Sequence, residues 1–201
     1  MRPRLEILEE MGLSPVWVLR RKRTPPVSAQ NAETGGSRDE KIAKMEWPEL
    51  KATVRECTAC GLRAGCTQTV FGVGDEKADW LLVGEAPGAE EDRLGEPFVG
   101  QAGKLLDNML ASLGLARGRN VYIANVLKCR PPGNRNPEPI EVATCSPYLR
   151  RQIELIQPKL IVAMGRFAVQ TLLNTDATIG SLRGKVQAYH DVTLVVTYHP
   201  A

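Results

Sequence analysis

Four short apolar runs, spaced by stretches of helical periodicity, constrain the fold of this chain more than any other feature. They are DWLLV at 79–83, VYIANV at 121–126, LIVAM at 160–164 and TLVVTY at 193–198. Runs this continuous belong to strands buried on both faces, the habit of parallel sheets. Helices are expected over 101–113, 138–156 and 166–173, with a further one over 41–56. Strands alternating with helices imply an α/β fold, a mostly parallel sheet covered on both faces. Ligands of such sheets bind beyond the carboxyl ends of the strands. Three strand ends here carry reactive or polar side chains: Glu85, Asn125 and His199, the last held extended by Pro200. A carboxylate, an amide and an imidazole therefore converge on one edge.

The domain is expected to span 41–201. Residues 1–23 form a short amphipathic segment ending in the basic run Arg20-Arg21-Lys22-Arg23, and residues 24–40 have almost nothing to bury and read as a flexible linker. The basic run is either a solvated charge run or an arm for nucleic acid or a replication or repair partner. With 43% hydrophobic and 24% charged residues the chain is globular in composition. It has no run of ~20 apolar residues, so no membrane span is expected. Its opening residues, MRPRLEILEE, carry acids where a secretion signal needs an apolar stretch, so a cytoplasmic protein is expected; a monomer is expected as well. Residues 75–96 hold eight acids against two bases, and residues 117–166 hold nine bases against three acids. That asymmetry suggests a phosphate-binding face beside a site that uses carboxylates. Solvated surface loops would look the same.

Five cysteines without a secretion signal point to metal or redox chemistry rather than to disulfides. Cys57-Thr-Ala-Cys60 places two thiols a short turn apart, and Cys129 and Cys145 stand alone, sixteen residues from each other. Four cysteines suit Zn²⁺ or an iron–sulfur cluster. One CxxC with two singletons leans towards a cubane cluster, and buried unligated cysteines are the plain alternative.

The chain resembles the family-4 uracil-DNA glycosylases, the iron–sulfur branch of their superfamily. The matching text is CTACGL at 57–62, QTVFGVG at 68–74, GEAPGAEED at 84–92, GEPFVGQAGKLLD at 95–107, IANVLKCRPPGNRNPEP at 123–139 and YHPA at 198–201. The resemblance implies a three-layer α/β/α fold with a four-stranded parallel sheet, a [4Fe–4S] cluster on Cys57, Cys60, Cys129 and Cys145, and hydrolytic release of uracil from single- or double-stranded DNA. Cys66 is left over as an incidental thiol. Family members continue past the YHPA motif, so the C-terminal end of the domain is expected to be missing.

By the same resemblance, Glu85 is the catalytic carboxylate and His199 donates to O2 of the leaving base. Asn125 binds the N3 and O4 edge, Phe98 stacks on the uracil face, and the Gly84–Gly88 amides face the base or a phosphate. Glu91 is the candidate wall against the thymine methyl. Arg130, Arg135, Lys104 and Arg183 (with Lys185) are the candidates for DNA phosphates. RPPGNRNPEP lacks the histidine of a covalently trapping branch, which favours hydrolysis. The rival functions are a glycosylase for another deaminated base and a non-catalytic iron–sulfur DNA-binding module. A nucleotide-binding domain is disfavoured because neither GxGxxG nor GxxxxGK[ST] occurs.

Overall fold

A computed structural model describes residues 38–201; the segment 1–23 and most of the span 24–40 lie outside the described residues. Residues 38–42 are already helical, within the last positions of the span read as linker. The helix expected over 41–56 is two pieces, with a turn at 43–44 before α1 (Trp47–Arg55). Pro48 explains the break: it has no N–H for the carbonyl four residues back, and its ring would collide with that carbonyl. At the second position of α1 the missing donor costs nothing.

The elements that follow are β1 (Val73–Gly74), β2 (Trp80–Gly84), α2 (Ala89–Leu94), α3 (Gln101–Ser112), β3 (Val121–Asn125), α4 (Pro139–Ile156), β4 (Leu160–Met164), α5 (Arg166–Leu173), α6 (Ile179–Leu182), β5 (Gln187–Tyr189) and β6 (Val192–Thr197). They build one sheet of order β1-β3-β2-β4-β6-β5. The four apolar runs are its parallel centre, β3-β2-β4-β6, as the sequence implies. Two short antiparallel strands, β1 on β3 and β5 on β6, extend it to six. Neither edge strand has the length or apolar content to be visible in the sequence.

Side chains alternate across the sheet as the pleat requires. Leu81, Val83, Tyr122, Ala124, Ile161 and Ala163 face one core. Leu82, Val121, Ile123 and Met164 face a smaller one with Leu106 and Leu110 of α3. Both faces are thus buried, which is why the strands read as unbroken apolar runs. Among the described residues no helix is long and apolar enough to cross a membrane.

The register aligns the strand ends. Gly84 pairs with Asn125, and Met164 with Thr197, so Glu85, Asn125, Gly165 and His199 leave the sheet along one edge. The Gly165 N–H donates to Thr197 O at 3.0 Å, tying the β4 and β6 exits together.

Candidate active site

At that edge lies a cavity of ≈ 380 Å³ whose walls include Glu85, Glu91, Phe98, Asn125, Arg135 and His199. Three residues read from strand ends, with the ring and the acid read from loops, therefore do meet. Asn125 is 2% exposed, and its side-chain oxygen has no hydrogen-bond partner among the described residues. A buried acceptor left without a donor is costly unless a ligand supplies one. From behind, the Asn125 carbonyl accepts from Lys128 Nζ at 2.9 Å, and the same ammonium donates to Gln152 Oε1 at 2.6 Å. Lys128 is fully buried, and loss of water lowers its pKa to about 8.

Glu85 is half-buried, and desolvation raises its carboxyl above the ordinary value, opposed by the nearby charge of Arg166. Burial lowers the His199 imidazole, opposed by Glu91. His199 Nδ1 accepts from the Ala201 N–H at 3.2 Å, which places the proton of the neutral ring on Nε2. The Phe98 and His199 rings stack with centroids 5.3 Å apart and planes 26° from parallel. Phe98 is also core: it is 5% exposed and packs with Leu82, Leu106 and Leu110.

Gly84 stands behind the cavity rather than in its wall. A Cβ there would lie 2.5 Å from both Asn125 Oδ1 and Phe98 Cζ, so its lack of a side chain is what lets amide and ring sit side by side. Glu91 lines the cavity with its carboxylate already engaged. Oε2 accepts from Gly88 N–H at 3.1 Å, capping α2, and Oε1 accepts from the Val99 and Gly100 amides at 2.9 and 3.1 Å. The helix α2 itself falls in a stretch that the sequence presents only as acidic.

Several bases of the basic segment are engaged within the protein. Of the nine bases in 117–166, Lys128 is buried, and Arg117 and Arg151 bond to backbone carbonyls of the loops at 97–98 and 45. Lys159 pairs with Asp79 at 3.0 Å, at the opposite end of β4. Arg135 reaches the cavity, but its guanidinium grips Glu141 through two bonds of 2.9 and 2.6 Å, and that carboxylate caps α4. Two charged ends this close hold the guanidinium to the protein, so Arg135 is a loop brace before it is a phosphate contact. Arg130 bonds to Asn134 Oδ1 at 2.7 Å within the same loop, while Lys104 and Arg183 are exposed and outside the cavity wall. Asp92, in the acidic run, is buried and accepts from the Thr67 amide and hydroxyl, both at 2.9 Å.

On the other side of the Asn125 loop, Cys57, Cys60, Cys129 and Cys145 line a second small cavity, of ≈ 20 Å³, with Val54, Leu62 and Tyr148. They arrive from the end of α1, the loop after β3 and the middle of α4. The Lys128 amide donates to Cys145 Sγ at 3.3 Å. Burial pushes the Cys145 thiol up to about 11 and raises Cys60 and Cys129 as well. Among the described residues no three such side chains already stand at metal-binding separation. Cys66 is buried against Cys129 but does not line this cavity. Arg117, Arg166 and Lys128 are absent from the sequence-derived candidates, yet they adjoin the Phe98 loop, Glu85 and Asn125 respectively.

Residues 71–201 match the family model described as the uracil DNA glycosylase superfamily. A type-4 uracil-DNA glycosylase of Archaeoglobus fulgidus is 51% identical over 161 residues, which cover 76% of this chain and 80% of that protein. One from Sulfurisphaera tokodaii is 46% identical over 162 residues, covering 76% and 73%. One from Pyrobaculum aerophilum is 41% identical over 165 residues, covering 78% and 84%. With a family match over residues 71–201 and relatives 41–51% identical over about three quarters of the chain, the chain belongs to the uracil-DNA glycosylase superfamily, among its type-4 members.

Proposed function

We propose that this protein removes uracil from DNA in base-excision repair by hydrolysing the bond between uracil N1 and deoxyribose C1′, leaving an abasic site. The observation that carries the reading is the buried, unpartnered Asn125 Oδ1 in a cavity that also holds a carboxylate, an imidazole and an aromatic ring. Uracil presents an N3–H donor and an O4 acceptor, which the Asn125 amide matches with Oδ1 and Nδ2. Cytosine presents the opposite pattern and would leave the orphan oxygen facing an acceptor.

The target nucleotide must leave the stack to reach such a cavity, at a cost of a few kcal/mol. Breaking the bond develops positive charge at the sugar and negative charge at uracil O2. Glu85, desolvated and without a side-chain hydrogen bond among the described residues, is free to face the sugar cation and orient the attacking water. His199, kept neutral by burial, offers Nε2–H to O2. Phe98 gives the base a face to stack on. Glu91, fixed by three backbone amides, is the rigid wall near C5 that a thymine methyl would meet.

Cys57, Cys60, Cys129 and Cys145 fit a [4Fe–4S] cluster: four thiols from three separate parts of the chain enclose one void, and burial raises Cys60, Cys129 and Cys145, so that thiolates there need a cation beside them. When bound, the cluster supplies a cross-link rather than electrons for the reaction. It would join α1 and α4 to the loop that begins at Asn125. Arg130, Lys104 and Arg183 remain the phosphate contacts of the reading, with DNA bound by a monomer.

An excision assay on oligonucleotides bearing uracil, hypoxanthine, xanthine, cytosine or thymine tests this function. Release of uracil alone, reduced at least about 100-fold in Asn125→Ala, is expected. Preferential release of a purine base would move the function to another lesion. Tight DNA binding without release of any base would leave a binding module.

A further inference from the structure

Phe98 sits at a left-handed φ of 55°, a conformation an aromatic residue does not hold without outside constraint. The constraint is visible on both sides of it. Arg117 holds the carbonyl before it and its own: Nη1 donates to Pro97 O at 2.7 Å and Nη2 to Phe98 O at 2.6 Å. Its Nε and Nη2 also donate to Asp107 Oδ1 of α3, at 3.3 and 3.1 Å. On the carboxyl-terminal side, Glu91 holds the amides of Val99 and Gly100. Beneath, α3 presses its bare Gly103 backbone on the Phe98 carbonyl, where any Cβ would overlap the oxygen. That carbonyl is therefore closed in on the helix side and takes its hydrogen bond from Arg117.

We infer that Arg117 is a positioning residue of the reaction, acting through Phe98: its planar fork fixes two consecutive carbonyls and so sets the tilt of the ring against which the base and His199 rest. Arg117 does not line the cavity and touches no reacting group. Its three-way attachment needs the fork geometry, which a lysine's point charge cannot reproduce. The inference rests on the reading of Phe98 as the stacking surface.

The test is a double-mutant cycle on uracil excision, with Arg117→Ala and Phe98→Leu alone and combined. Arg117→Ala is expected to lower kcat/KM about ten- to a hundredfold in the native background, as a misplaced contact does, and less than about twofold when residue 98 is already leucine. Should Arg117→Ala fold poorly, Asp107→Asn at its exposed site loosens the same guanidinium and is expected to show a smaller loss with the same dependence on Phe98. A second readout needs no activity. The chain has only two histidines, and the His199 ring resonances, shielded by Phe98, should shift in Arg117→Ala towards their positions in Phe98→Leu. Equal losses in both backgrounds, or unmoved His199 resonances, would overturn the role of Arg117 alone. A Phe98→Leu enzyme as active as the unmodified one would overturn the stacking role of Phe98, and the positioning role with it.

Discussion

The imidazole of His199 lies on the ring of Phe98, centroids 5.3 Å apart. One residue lies two positions past the last parallel strand and the other sits on a loop about a hundred positions earlier, yet the aromatic ring is part of what takes water from the imidazole. Replacing it with Phe98→Leu should raise the His199 pKa towards the ordinary imidazole value, because burial is the chief cause of its depression. A ¹³C-histidine NMR titration reads this directly. The same variant should lose about ten- to a hundredfold in kcat/KM, the size of one base-stacking contact.

Glu85 must be ionised to face a sugar cation, so kcat/KM should fall on the acid side as Glu85 takes up a proton. Desolvation puts that midpoint above the ordinary carboxylate value, and Arg166 holds it down. Arg166→Ala should therefore move the acid limb to higher pH, while Arg166→Lys should leave it close to its original place. A limb that stays fixed in Arg166→Ala would remove Arg166 from the electrostatics of Glu85.

Gly165 has φ 87° and ψ 166°, a combination nearly closed to other residues, and a Cβ there would approach His199 Cβ to 3.2 Å. Gly165→Ala should cost about 1–3 kcal/mol of stability through the backbone alone. It should also displace His199 and lower kcat about tenfold or more. Thermal melts and single-turnover excision separate the two effects.

Cys145 lies in the middle of α4 and accepts from the Lys128 amide. With the proposed cluster on the four thiols, Cys145→Ser should abolish a brown iron–sulfur chromophore and lower the melting temperature markedly, since the loss of a structural metal group ranks among the largest single-site effects. Cys66→Ser should retain the full chromophore, as Cys66 lies outside the four-thiol cavity. Iron content and absorbance near the visible charge-transfer bands check both.

The parallel centre of the sheet was legible because its strands are buried on both faces and so appear as unbroken apolar runs. The convergence of Glu85, Asn125 and His199 followed from strand ends alone. The edge strands β1 and β5, of two and three residues, carry no pattern of their own and exist because β3 and β6 offer them a partner. Charge was the least legible signal. Lys128 looks like a surface base and is a buried prop beneath Asn125, and Arg135 and Arg117 spend their guanidiniums on Glu141 and on loop carbonyls. Glu91, read as a pocket wall, is in the wall because it first caps α2 and ties the Phe98 loop. Such contacts span loops whose paths a one-dimensional pattern does not encode.

Single-turnover release of uracil from a labelled oligonucleotide, followed by alkaline cleavage, tests the glycosylase activity most directly, with the unmodified chain beside Glu85→Ala. Cleavage at uracil only is expected, with Glu85→Ala still binding the DNA but slowed by at least about 100-fold. Uracil release at an undiminished rate in Glu85→Ala would contradict the role of Glu85, and none from the unmodified chain would contradict the activity.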